Sequence, residues 1–272
     1  MTATSLQWRP PIVALGFARG SIELRQFFRT RESVAFTILL PTLMLGLFGA
    51  IIEYDVIANV PFAQYFTPSM LAAGVFAASF QNLAIQIPME RDRGVHNRLA
   101  ITPLHPMSYV LGKILLVLVI SAFSIVIFLA VATFGYGVEL PTKASSWFTA
   151  SWVLILGVAA CTMCGIAFSA LPRTGRSAPA MVTPFALTLQ IISGVFVPVD
   201  DLPAWLQQIG ALFPLKWMCQ GLRAAFLPEN AASIEPAGSW ELGRVAIVLG
   251  LWLLIGSFLA ARALKWRATN SK

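Results

Sequence analysis

The sequence predicts an all-α integral membrane protein with six transmembrane helices and both termini in the cytoplasm, and three observations predict it. Of its 272 residues, 57% are hydrophobic and 11% charged, where a soluble domain carries about a quarter charged residues. A hydrocarbon core about 30 Å thick takes about 20 apolar residues per helix. Six runs near that length have no charge in their central parts: 34–52, 66–87, 114–137, 147–171, 179–199 and 245–263. Finally, 15 of the 19 Lys and Arg fall before span one, between spans two and three, between four and five, and at the end of span six and beyond it. Lys and Arg resist translocation, so these segments are expected inside, in a plasma (bacterial inner) membrane. The net charge of +7 then belongs to the inner face and suits anionic lipid, not nucleic acid.

Taken in order, the chain is one transmembrane domain over residues 1–272. Residues 9–33 read as an amphipathic helix lying in the inner interface. Its wheel puts Val13, Phe17, Leu24, Phe27 and Phe28 on one face, with Arg19, Glu23, Arg25, Gln26 and Arg29 opposite. Span two carries Gln81, Asn82 and Gln86 beside Phe80, and span five carries Gln190 beside Phe185 and Phe196. These amides either bond between helices or line a path for an amphipathic substrate together with the aromatics.

Between spans two and three, the 88–104 loop "PMERDRGVHNRLAITPL" holds Glu90, Arg91, Asp92, Arg93, Gly94, Arg98 and Leu99. Pro88 is expected to end or bend span two. The loop is either a solvated turn or a short helix offered to a cytoplasmic protein. In span four, Cys161 and Cys164 form a C-x-x-C, read as small packing residues because Gly157, Cys161 and Gly165 repeat every four residues. After span five, residues 200–227 hold two pieces split by Pro214, each too short to span and expected as an outer re-entrant or interfacial pair. Asp201 with Pro203 should start the first piece, and Trp205 should sit in the outer aromatic belt. Lys216 and Arg223 lie in the second piece.

The chain has no phosphate-cradling G-x-x-x-x-G-K-[ST] loop, no H-E-x-x-H and no G-x-S-x-G. Its spans hold no central ionisable residue that would couple transport to an ion gradient. Energy for any uphill movement is therefore expected from a partner, and neither a metal nor a cofactor is expected in this chain.

"MERDRGVHNRLAITPLHPMSYVLGK" resembles the first signature of type-2 ABC exporter permeases: E-R-x-x-G, a basic residue and Leu, T-P-L, then G-K opening the third helix. "SGVFVPVDDLPAWLQQIGALFPLKWMCQGLR" is similar to the second, and "RTRESVAFTILLPTLMLGLFG" stands in its usual place before both. The likeness covers nearly the whole chain and is nearest to the daunorubicin-resistance-like multidrug branch. His105 is a mild departure.

The resemblance implies a non-catalytic permease, a homodimer or a pair with a closely similar permease, bound to two copies of a separate ABC subunit that holds ATP and Mg. It makes Glu90 to Leu99 the coupling helix and 9–33 the connecting helix, and places the 200–227 pair at the dimer's exit. The substrate implied is drug-like or lipid. A polysaccharide or glycolipid exporter, a non-transporting scaffold and a gradient-driven carrier are the rival readings.

Overall fold

A computed structural model describes residues 11–52, 55–57, 60–95 and 106–269. The described chain is almost wholly helical, apart from a short antiparallel ladder between β1 (Asp55–Ile57) and β2 (Val60–Pro61). Among the described residues four helices are long and apolar enough to cross a membrane: Phe62–Asp92, Met107–Tyr136, Ala144–Phe168 and Leu242–Ala263. This is a multi-pass membrane protein. The first and fifth expected spans are shorter as uninterrupted α-helices, Leu40–Ile51 and Ala178–Ile192.

The amphipathic helix is α1 (Ile12–Arg29). Beyond Thr30 the helix resumes as α2 (Arg31–Val34), passes through a π turn (Ala35–Leu39) and continues as α3 (Leu40–Ile51). Span two is built the same way, from α4 (Phe62–Phe76), a π turn (Ala77–Gln81) and α5 (Asn82–Asp92). Pro88, expected to end or bend this span, does not end it and lies inside α5. Its ring forfeits the N–H bond to the carbonyl of Ala84 and crowds that carbonyl, yet the helix runs on past it, with Arg93 N reaching Met89 O at 3.2 Å.

Span three is α6 (Pro106–Tyr136) and span four α7 (Ala144–Phe168). The small-residue seam of span four is used for close packing: a Cβ at Gly165 would stand 2.8 Å from Phe80 O. Cys161 is buried in the same seam as a free thiol. Span five, α8 (Ala178–Ile192), ends short of the expected 199. Ser193 N bonds Leu189 O at 3.0 Å and Val195 N bonds Gln190 O at 3.1 Å around Gly194 at φ 76°.

A 3-10 turn (Val199–Asp201) and α9 (Ala204–Ala211) follow. Asp201 does not cap α9, whose N-cap is Pro203 with no side-chain bond. The next helix, α10 (Pro214–Phe226), is the surprise among the short pieces. Every residue from Pro214 to Arg223 is buried, because the helix is wedged between α4, α7 and α11 (Leu242–Thr269) instead of lying on an interface. Trp217 goes inside with it, donating Nε1–H to Ala211 O at 2.7 Å, whereas Trp205 stays 62% exposed.

Candidate functional site

At the end of the bundle that carries Glu90, three segments distant in sequence meet on one lysine. Lys113, in the first turns of α6, is completely buried. Its Nζ lies 2.6 Å from Glu90 Oε1 and 3.0 Å from Glu23 Oε2. Tyr109, one turn earlier, donates its hydroxyl to Glu90 Oε2 at 2.9 Å. Arg19 donates Nε–H to Glu23 Oε1 at 3.1 Å, and its guanidinium stands 5.4 Å from the Tyr109 ring centre. Two cations and two carboxylates therefore balance in a nearly dry site, the condition under which buried charge is tolerated.

The expected wheel had placed Glu23 on the solvated face of α1, and the structure corrects this. The face that meets the protein runs Gly16, Gly20, Glu23, Phe27, and glycine is what makes the approach possible. A Cβ at Gly16 would stand 2.8 Å from Leu111 Cβ, and one at Gly20 2.6 Å from Leu115 Cδ2. Phe17, Arg25 and Arg29 remain exposed. Burial raises the Glu23 carboxyl above its ordinary value, opposed by Lys113 and reinforced by Glu90.

Beyond Glu90 the acidic and basic residues are spent on the chain itself. Arg91 donates to the carbonyls of Pro172 and Arg173 at 2.6 and 3.0 Å, and Gly175 N–H donates to Asp92 Oδ2 at 2.5 Å. These bonds fasten the end of span two to the turn between spans four and five. Arg93 is exposed and Gly94 turns the chain at φ 70°. Arg98 and Leu99 lie outside the described residues.

The residues expected to line a path divide into two places. Phe80 and Phe185 face a cavity of about 630 Å³ together with Phe76, Phe168, Phe213 and Trp252. Phe168 and Phe185 stack at 4.9 Å between ring centres. Asn82 and Gln86 open instead onto a groove against α1. Phe80 sits in the π turn at 77–81, directly before Asn82 and Gln86 on α5, and such turns often sit at functional positions. Gln81, Gln190 and Phe196 line neither space.

A second charge cluster fixes the opposite end. Arg223 is 1% exposed and donates Nε–H to Glu235 Oε1 at 2.7 Å, with Nη2 at ion-pair distance of the same oxygen, and Nη1 donates to Ser69 Oγ at 2.9 Å and Gly194 O at 3.2 Å. Lys216 lies 4.0 Å from Glu235 and 4.1 Å from the Trp217 ring centre, and it donates to Gln220 Oε1. Among the described residues no group of three or more His, Cys, Asp or Glu is placed to hold a metal.

A family model, ABC-2 type transporter, matches residues 19–227, which contain the Glu23–Lys113–Glu90 cluster, together with Lys216 and Arg223 of the second cluster and the phenylalanines of the aromatic cavity. The chain belongs to the ABC-2 type transporter family. The ycf38 protein of Cyanophora paradoxa, described as a transport permease, is 29% identical over 242 residues, 84% of this chain and 81% of its own length. Its counterpart in Porphyra purpurea is 22% identical over 251 residues, 89% and 86% of the two chains. YbhR of Escherichia coli K12, described as a multidrug ABC transporter permease, is 23% identical over 184 residues, 68% of this chain. The match spans about half of YbhR's length, 49%.

As an ABC-2 transport permease, the chain is a membrane component and not the catalytic enzyme, and its family implies an ABC ATP-binding partner. Within this permease, sequence reasoning gave Lys113 no role beyond closing the G-K that opens the third helix. The signal for its true position was present in "GFARGSIE": Gly16 and Gly20 form a G-x-x-x-G, and Glu23 falls on the same face one turn later. Arg223 was named only as part of the outer region. Its burial depends on Glu235, twelve residues away across a loop, a partner that no spacing rule selects.

Proposed function

We propose that this permease is the membrane half of an ATP-driven exporter, working as a dimer with two copies of a separate ATP-binding subunit in a bacterial inner membrane. Six crossings result when α2 to α3 and α8 are counted with the four long helices, with the Glu90 end in the cytoplasm. The observation that carries the reading is the Glu23–Lys113–Glu90 cluster. It ties the amphipathic helix, the end of span two and the start of span three into one unit at the end where a cytoplasmic subunit would dock.

In this reading the partner meets the segment from Arg93 through Leu99 and the exposed side of α1 at Arg25 and Arg29. Glu90 and Arg91 act behind that surface, holding it to spans three to five. A push on the segment then moves several helices together, as a two-state transition requires. The substrate is amphipathic or lipophilic, which suits the aromatic 630 Å³ cavity at Phe80 and Phe185. The test is reconstitution with the cognate ATP-binding subunit in liposomes. ATP-dependent efflux of a lipophilic dye, lost with Arg93→Glu and Arg25→Glu combined, is the expected result. Efflux that follows a proton gradient and ignores ATP would overturn the reading.

A further inference from the structure

The groove between α1 and α5 encloses about 360 Å³ that the chain leaves unfilled. Arg19, Gln26 and Thr30 form one wall, and Asn82, Gln86 and Arg93 the other. It is long and narrow: α5 alone rises about 15 Å from Asn82 to Asp92. Its two ends differ in chemistry.

Arg93 and Arg19 stand at one end. Arg93 is exposed, and no carboxylate pairs with it among the described residues. Towards the other end Asn82 Nδ2 and Gln86 Oε1 are both buried without a hydrogen-bond partner. A folded chain rarely leaves such atoms unmet, and when it does a missing ligand is one of the standard explanations. Here a donor and an acceptor are left over together, four residues apart on one helix face. Phe27 and Ile85 supply apolar flanks. Ile22, 55% exposed, lies on the groove's wall, and outside it α1 exposes Phe17 at 60% and Phe28 at 43%, a face suited to acyl chains.

A ligand that satisfies this lining carries an anion at one end, oxygen acceptors and an N–H or O–H donor in its polar part, and an apolar body. We propose that the groove is a binding site for one phospholipid of the leaflet at the Glu90 end. The phosphate is held by Arg19 and Arg93, an oxygen accepts from Asn82 Nδ2, and a headgroup ammonium or hydroxyl donates to Gln86 Oε1. Phosphatidylethanolamine and phosphatidylglycerol fit, and phosphatidylcholine, which has no donor, does not. Because the groove shares Arg19, Glu23 and Glu90 with the ion cluster, its occupant would brace α1 against span two. The proposal stands whether or not the chain exports.

The test is native mass spectrometry of the purified full chain, delipidated in detergent and offered each of the three lipids at equal concentration. One phosphatidylethanolamine or phosphatidylglycerol should be retained per chain under conditions that strip phosphatidylcholine. Arg93→Ala and Gln86→Leu should each lower that retention at least fivefold. Arg93 is exposed, so its variant tests the site even if Gln86→Leu fails to fold. Equal retention of all three lipids would overturn the proposal, as would no change in Arg93→Ala. Full displacement by millimolar glycerol 3-phosphate would also overturn it, assigning the groove to a soluble phosphate compound.

Discussion

The two ends of the bundle each bury a charged cluster, and they use it differently. At the Glu90 end two cations face two carboxylates, and the members come from α1, α5 and α6. At the Arg223 end two cations share one carboxylate, and the remaining charge rests on Gln220 and the Trp217 ring. The first joins a surface helix to two spans, so what moves one moves the others. The second pins a buried half-helix to span two and to the turn after span five, closing that end. Buried charge thus ties three elements together at one end and pins a half-helix in place at the other.

The largest effect should come from Lys113→Met. It takes the buried cation from two carboxylates at once, leaving Glu90 only the neutral Tyr109 hydroxyl and Glu23 only the half-buried Arg19, and removing one partner of a buried pair costs about 3–5 kcal/mol. Arg223→Met should fall at the low end of that range, because Lys216 remains 4.0 Å from Glu235. Thermal unfolding of the two variants in one detergent measures the gap, and a larger loss for Arg223→Met would reverse the comparison. The triple change Glu23→Gln, Glu90→Gln, Lys113→Met sharpens it further. Neutral groups of similar size replace buried ion pairs at little cost, so stability should return while ATPase stimulation by the permease stays lost.

Smaller effects follow from the packing and the charge of α1. Gly20→Val pushes into Leu115 and should cost about 1–3 kcal/mol, whereas Arg25→Ala and Arg29→Ala, being exposed, should stay within about 0.5 kcal/mol. The smallest effect is one of pH. The Glu23 carboxyl is raised from 4.5 chiefly by burial, so its contribution is full below the ordinary value and lost as pH rises through the raised one. Melting temperatures of wild type and Glu23→Gln should therefore diverge over that window, with the wild type losing ground as pH increases.

How much of this was legible beforehand varies with the kind of interaction. Span-length apolar runs announced the membrane helices because hydropathy is a local property, and the repeat of Gly157, Cys161 and Gly165 in span four predicted close packing for the same reason. The π turns at 35–39 and 77–81 were not legible, since one extra residue in a turn leaves composition unchanged. Glu23 was assigned to the wrong face because the wheel weighed charge against hydrophobicity and gave glycine no weight. Here two glycines choose the contact face, which takes Phe27 with it and leaves Phe17 and Phe28 exposed. Burial of Arg223 and Lys113 was hidden for another reason: each depends on carboxylates brought from elsewhere in the fold.

The most direct test of the account is the ATPase rate of the complex purified through a tag on this chain, as wild type and as Glu90→Gln. The account predicts that an ABC ATP-binding subunit co-purifies with both and that the permease-dependent part of its turnover falls about tenfold in the variant. A wild-type preparation with no ATP-binding subunit, or equal turnover in the two complexes, would contradict it.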